Sequence, residues 1–217
     1  MVGAYFFGPD WLQAAIAPAN REYGLLESLQ VLTLLLAGFL FCGVVLRTSR
    51  PTSRLLFGCI FAGVLFLLGE KTDYGLVFLD LWTGEEPEST VPGRNLHNLG
   101  MLEPAIKATG YLALFLWFVW APLRIERRRL GPLAPFRPSR KCLGTVISAV
   151  AIGQVAFFLD DRVGGVHGLH RNGHNVSEFH ELMIYFVLLV YAYEVHRRHR
   201  GMEQTTETNP NSDHSPD

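Results

Sequence analysis

Residues 61–82 read FAGVLFLLGEKTDYGLVFLDLW. An apolar run long enough to be crossing a bilayer is broken by Glu70, Lys71 and Asp73, and then resumes through Gly75–Trp82. A charged side chain at the centre of a membrane helix costs about 2.5–3.5 kcal/mol, so ionisable groups persist there only where they pair or serve a site. Three within four residues therefore decide two questions together: whether the chain is a membrane protein, and where its chemistry lies.

The rest of the sequence answers the first. The 217 residues are 49% hydrophobic and 18% charged, and the mean hydropathy is positive, a balance too apolar for an ordinary soluble domain. Apolar windows centre on residues 24–46, 55–79, 105–123, 142–160 and 179–196. Roughly 20 apolar residues span the hydrocarbon at about 1.5 Å per residue, so the expected fold is an all-α polytopic membrane bundle of about five transmembrane helices. Residues 1–200 form one transmembrane domain. The polar stretch 201–217, GMEQTTETNPNSDHSPD, is expected to be a disordered cytoplasmic tail. The N-terminal MVGAYFFGPDWLQAAIAPAN has no basic start, and Asp10 breaks its apolar run; it reads as an interfacial segment rather than a signal peptide. A net charge of −1 gives no attraction to nucleic acid, which leaves membrane lipids as the expected partners.

Orientation follows from the basic residues. Arg47, Arg50 and Arg54 fill the first connection, Arg124, Arg127, Arg128, Arg129, Arg137, Arg140 and Lys141 the third, and Arg197, Arg198 and Arg200 follow the last window. Loops rich in Lys and Arg stay cytoplasmic, so the N-terminus is expected outside and the C-terminus inside. Cys42, Cys59 and Cys142 then lie near the cytoplasmic ends without C-x-x-C spacing, and read as free thiols.

Acids and histidines gather at the opposite end, an asymmetry that the rule for Lys and Arg does not explain. The first window carries Glu27 and Gln30 near its outer end, the second Glu70, Asp73 and Tyr74, the fourth ends in Asp160 and Asp161, and the fifth opens with SEFHEL. His97 lies in the second connection, and His167, His170 and His174 in a Gly-rich loop. Residues three or four apart share a helical face; Glu70, Asp73 and Tyr74 form one such set, and Ser177, His180 and Glu181 another. Faces of this kind turn away from lipid, which would gather carboxylates and imidazoles in an outward-opening cavity. Oxygen and imidazole ligands without thiolates suit zinc, iron or manganese. The competing reading pairs Glu70 or Glu27 with Lys71 or Arg94 to lock helices together.

Three motifs carry a resemblance: Glu22, Gly24 and Glu27; Gly69, Glu70, Asp73 and Gly75 followed by Pro87 and Glu88; and Asn95, Leu96, His97 and Asn98. Over roughly the first half of the chain they resemble a group of bacterial polytopic membrane proteins with an E-x-G-x-x-E motif, a G-E-E-x-S-W-G-Q helix end and N-L-H-N. The chain departs at Lys71, Tyr74 and Leu76, where the pattern has Glu, Trp and Gln. The resemblance implies the bacterial cytoplasmic (inner) membrane. A fainter likeness is to the ceramidase-like membrane hydrolases, which hold zinc with three His beside an Asp and a Ser; the H-x-x-x-H of their last helix is absent here.

Two functions follow as expectations. The first is a metal-dependent membrane hydrolase acting on a lipid or amphiphile at the outer face, with Glu70 and Asp73 in catalysis. Glu27, Glu70, His97 and His180 are then the candidate ligands to a divalent metal (zinc, iron or manganese), with Glu181 and Asp160 behind them to orient a histidine. Oxidation at a carboxylate-rich iron site is the other chemistry this donor set allows. The second function is non-enzymatic: transport, metal handling or an accessory role in a membrane complex.

Overall fold

The computed structural model describes residues 3, 7–16, 24–72, 82, 109, 112–126, 130, 134–159 and 173–207. Among these there is helix and no strand. The helices are α1 (Asp10–Ile16), α2 (Leu25–Arg47), α3 (Pro51–Lys71), α4 (Leu112–Arg124), α5 (Arg140–Leu159) and α6 (Gly173–Glu207).

Local chemistry sets the helix ends. At the start of α2 the Gly24 N–H donates to Glu27 Oε2 at 3.0 Å, and Ser28 Oγ donates to the Gly24 carbonyl at 3.0 Å. These contacts satisfy groups that a helix terminus otherwise leaves unpaired. At the far end Thr48 Oγ1 donates to Val44 O at 2.7 Å. Three residues later Pro51 opens α3 at a position where its missing N–H is no loss. That short connection makes α2 and α3 antiparallel neighbours. In α4 the backbone widens into a π-helical turn over Leu116–Trp120, with the Ala121 N–H bonding to Leu116 O. Pro122 follows immediately; it has no N–H for Phe118 O, and its ring would clash with that carbonyl in a regular helix, so a local widening is the expected accommodation.

The bundle is ordered around α2 and α6. Helix α2 packs between α3 and α6, α6 packs between α2 and α5, and α4 leans on α5. Leu34, Ala37, Phe41 and Val44 of α2 are fully buried, and their spacing of three and four residues lays a continuous stripe along one face. The outward surface is apolar as well: Phe39 and Leu46 of α2 are 77% and 70% exposed, and Leu55 of α3 68%. A soluble protein rarely leaves so much contiguous apolar surface in water. Two helices, α2 and α3, are long and apolar enough to cross a membrane, and Leu112–Arg124 is a shorter apolar helix.

The windows at 24–46, 142–160 and 179–196 coincide with α2, α5 and part of α6. The second window, expected to run to 79, is helical only to Lys71, with Thr72 capping the end through its hydroxyl to Leu68 O at 2.9 Å. Residues 73–81 lie outside the described residues. Helix α6 is 35 residues long, about 52 Å at 1.5 Å per residue, well beyond the ~30 Å of hydrocarbon. It runs through Glu207, so residues 201–207 of the expected disordered tail are helical. Met202, Glu203 and Gln204 are good helix formers, and extending an existing helix avoids the cost of nucleation.

The basic end is more structured than a topology-setting loop requires. Phe136, in the connection between α4 and α5, is 2% exposed and stacks at 4.0 Å between ring centroids on Phe57 of α3. Tyr191 of α6 donates its hydroxyl to the Phe136 carbonyl. Arg198 donates to Arg137 O at 2.9 Å, Arg137 to Pro122 O at 2.7 Å, and Ser139 N–H to Glu194 Oε2 at 3.2 Å. Side chains of α6 thus pin the loop across the end of the bundle.

Two histidines of α6 rest on glycines of its neighbours. A Cβ on Gly43 of α2 would meet His196 at 3.2 Å, and one on Gly153 of α5 would meet His180 Cδ2 at 2.8 Å, closer than real Cβ atoms come. The expected outcome of Gly153→Ala is a lower melting temperature in detergent despite the better helix propensity of Ala, since overpacking costs about 1–3 kcal/mol. Adding His180→Ala should recover part of the loss, because the two residues touch. Equal losses in the single and double variants would show that the contact does not set the α5–α6 spacing.

Candidate functional site

Glu70 and Lys71 form the last turn of α3, where the sequence interrupts its apolar run. Glu70 is buried, at 7% exposure. The Lys71 ammonium lies 2.7 Å from Glu178 Oε2 and 2.8 Å from Glu181 Oε2, both on α6. Glu178 and Glu181 are three residues apart and share a helical face, so one cation receives two carboxylates from one helix. From α2, the Gln30 amide nitrogen donates to both Glu178 Oε2 and the Glu178 carbonyl, each at 2.8 Å. Gln30 is fully buried. Helix α2, which packs against both α3 and α6, and those two helices are therefore joined at this end by one polar network.

The electrostatics explain why a network forms rather than a single pair. An unpaired ammonium in a low-dielectric interior is heavily penalised, and the attraction of a partner offsets this only with good geometry and further hydrogen bonds. Lys71 has two carboxylates at contact distance, and Glu178 has a second donor in Gln30. Among the described residues Lys71 is the one basic side chain at this end of the bundle. Gln30 Oε1 is buried without a hydrogen-bond partner among the described residues.

The expected site residues distribute as follows. Glu27 accepts the Gly24 N–H and so serves the start of its own helix. Glu181, expected behind a histidine, is held by Lys71. His180, on the same turn of α6, points to the other side and packs on Gly153 of α5. Asp73, His97 and Asp160 lie outside the described residues, as do Arg94, His167 and His170; position 174 falls in the first turn of α6 rather than in a loop. Among the described residues no group of three or more His, Cys, Asp or Glu is placed to hold a metal ion, and the described candidates do not by themselves make a ligand set for zinc, iron or manganese. Sequence reasoning gave Glu178 and Gln30 no role beyond their position near the outer face. The signal for Glu178 is its spacing from Glu181 opposite an isolated Lys, and for Gln30 an amide within an otherwise apolar helix.

A second feature lies on the far side of α6. An apolar cavity of about 270 Å³ opens between α4, α5 and α6, lined by Leu114, Phe118, Val146, Ala149 and Val187 among others, with Gln154 and His180 as its polar members.

No family model, no curated protein and no solved structure matches the chain. The class is therefore set by the fold and the site alone: among the described residues, helices without strands, two of them long and apolar enough to cross a membrane, and a partly buried lysine held by two glutamates at the end of one of them.

Replacing Lys71 with Met leaves two facing carboxylates with no cation. The expected loss is about 3 kcal/mol, the low end for a buried pair because 17–29% of each side chain remains accessible. Combining Lys71→Met with Glu178→Gln and Glu181→Gln removes all three charges and should restore most of the thermal stability in detergent. A single Lys71→Met variant that melts like the parent would reduce the network to a surface ion pair.

Proposed function

We propose that the chain is an integral membrane protein of about five spans, with its basic end in the cytoplasm and its acid- and histidine-rich end outside, and that it acts without catalysis, as a membrane binding or accessory protein. The observation that carries this reading is the Lys71 network. What the composition offered as a set of metal ligands is, for Glu181, a counter-ion to a lysine and, for Glu27, a helix cap. A partly buried lysine between two carboxylates fastens α2, α3 and α6 where a metal-dependent enzyme would need open coordination positions. The exposed apolar faces of α2 and α3 support the membrane location, and the segregation of basic side chains to the opposite end supports the orientation.

A second reading keeps a metal-dependent hydrolase or oxidase acting on a lipid. It is favoured by the burial of Glu70 beside the network, and it needs ligands from Asp73, His97 or Asp160. Elemental analysis of the detergent-purified protein separates the two. The binding-protein reading expects no stoichiometric zinc, iron or manganese, and expects Glu70→Gln to insert and remain monodisperse. One tightly held metal per chain, lost in Glu70→Gln while the protein stays folded, would establish the enzyme reading instead. Orientation has its own check: a reporter fused after Arg200 should be cytoplasmic and a tag near Glu86 accessible from outside, and the reverse pattern would overturn the assignment of the acidic end.

A further inference from the structure

The cavity between α4, α5 and α6 has a direction. Helices α5 and α6 run antiparallel, so Gln154 pairs in level with His180, and Val146 with Val187. From His180 to Val187 is seven residues, about 10 Å of helix. One end of the crevice is thus polar and lies on the acidic side of the bundle, about five residues inside the end of α5 at Leu159; the rest is apolar and points toward the basic side. Apolar cavities of about 150 Å³ already admit benzene, whereas drug-sized ligands need about 300–1,000 Å³. A volume of about 270 Å³ therefore suits part of one hydrocarbon chain.

The polar end narrows the choice. Gln154 sits on an otherwise apolar stretch, ISAVAIGQVAFF, and is exposed in the crevice wall with no hydrogen-bond partner among the described residues. A primary amide facing hydrocarbon is unfavourable without a partner, so the site fits a ligand that brings a hydrogen-bonding group to this depth. The Gln154 amide is uncharged and offers no counter-charge to an anionic head, so it suits a neutral acceptor such as an ester carbonyl. Gly153 completes the polar end, since any side chain there would displace the His180 ring that forms its wall.

We infer that this crevice binds one ester-linked acyl chain of a bilayer lipid, its carbonyl accepting a hydrogen bond from the Gln154 amide beside His180 and its methylenes running between α4, α5 and α6 toward Val146 and Val187. The inference rests on the membrane location proposed above and is independent of the Lys71 network.

The test uses the full chain in phosphatidylcholine nanodiscs doped with a phosphatidylcholine that carries a diazirine part-way along one acyl chain. After irradiation, adducts are mapped by peptide mass spectrometry. The expected result is labelling concentrated on Leu114, Val146, Ala149 and Val187, above the general labelling of lipid-exposed Phe39 and Leu55. Ala149→Trp, which fills the crevice, should abolish the excess, as should Val150→Trp at its 49% exposed rim, a substitution less able to disturb folding. Gln154→Leu should weaken it. General labelling of Phe39 and Leu55 without excess in the crevice overturns the inference and leaves the membrane reading intact. No labelling of either set overturns both. Excess labelling by a diazirine-bearing free fatty acid that the phospholipid does not match would replace the esterified chain with a carboxylic acid, and so overturns the inference as stated.

Discussion

A lysine at the inner edge of an apolar helix end must be given counter-charges from somewhere, and the arrangement of this bundle follows from where they come. Lys71 closes α3, and its ammonium is held by Glu178 and Glu181 of α6, with Gln30 of α2 supporting Glu178. The short connection after Arg47 already makes α2 and α3 neighbours. The network then fixes which face of α6 is turned toward that pair, because residues 178 and 181 must both reach one ammonium. Rotating α6 by one residue, about 100°, would break both contacts and carry the carboxylates into apolar surroundings.

Once that face is set, the remaining faces of α6 have defined partners. His180 falls on the side of α5, where only a glycine at 153 leaves room for its ring, and two turns of apolar side chains below it form the wall of a crevice. Further along, His196 meets Gly43 of α2, and Tyr191, Glu194 and Arg198 hold the connection between α4 and α5 by its backbone. The acidic and basic ends of the molecule are therefore tied by the same helix through different chemistry: charge pairing at one end, and side-chain bonds to a folded-back loop with a buried Phe136 at the other. In the membrane location proposed above both ends matter, because lipid is as apolar as the helix surfaces and hydrophobic burial adds little to helix association, leaving packing and polar contacts to do it.

The same arrangement separates two chemistries that the composition had merged. Carboxylates and histidines share one end of the chain, yet Glu181 and His180, adjacent in sequence, face α3 and α5 respectively. The carboxylate side is paired with a lysine. The histidine side borders an apolar space with one amide that has no hydrogen-bond partner among the described residues. A metal centre needs these donors on one side of one cavity; a lipid site needs them apart, with a weakly polar group at the head of a hydrocarbon slot.

Composition and the run of apolar windows determined an all-helical bundle, and Gly24, Thr48, Pro51 and Thr72 mark helix ends by local rules that need no neighbours. The clustering of Arg and Lys against Glu and His likewise determined that the two ends differ. The sequence did not determine which of the ionisable groups meet. Spacing of three or four residues says that Glu178 and Glu181 share a face, but the rotation of α6 that brings them to Lys71, rather than bringing His180 to Glu70, depends on contacts made by residues more than a hundred positions apart. Only the tertiary structure decided that Gly153 is the seat of a histidine, that Phe136 leaves its polar loop for the core, and that Gln154 heads an apolar crevice. In each case the local sequence is compatible with several faces, and the choice belongs to the packing of one helix against another.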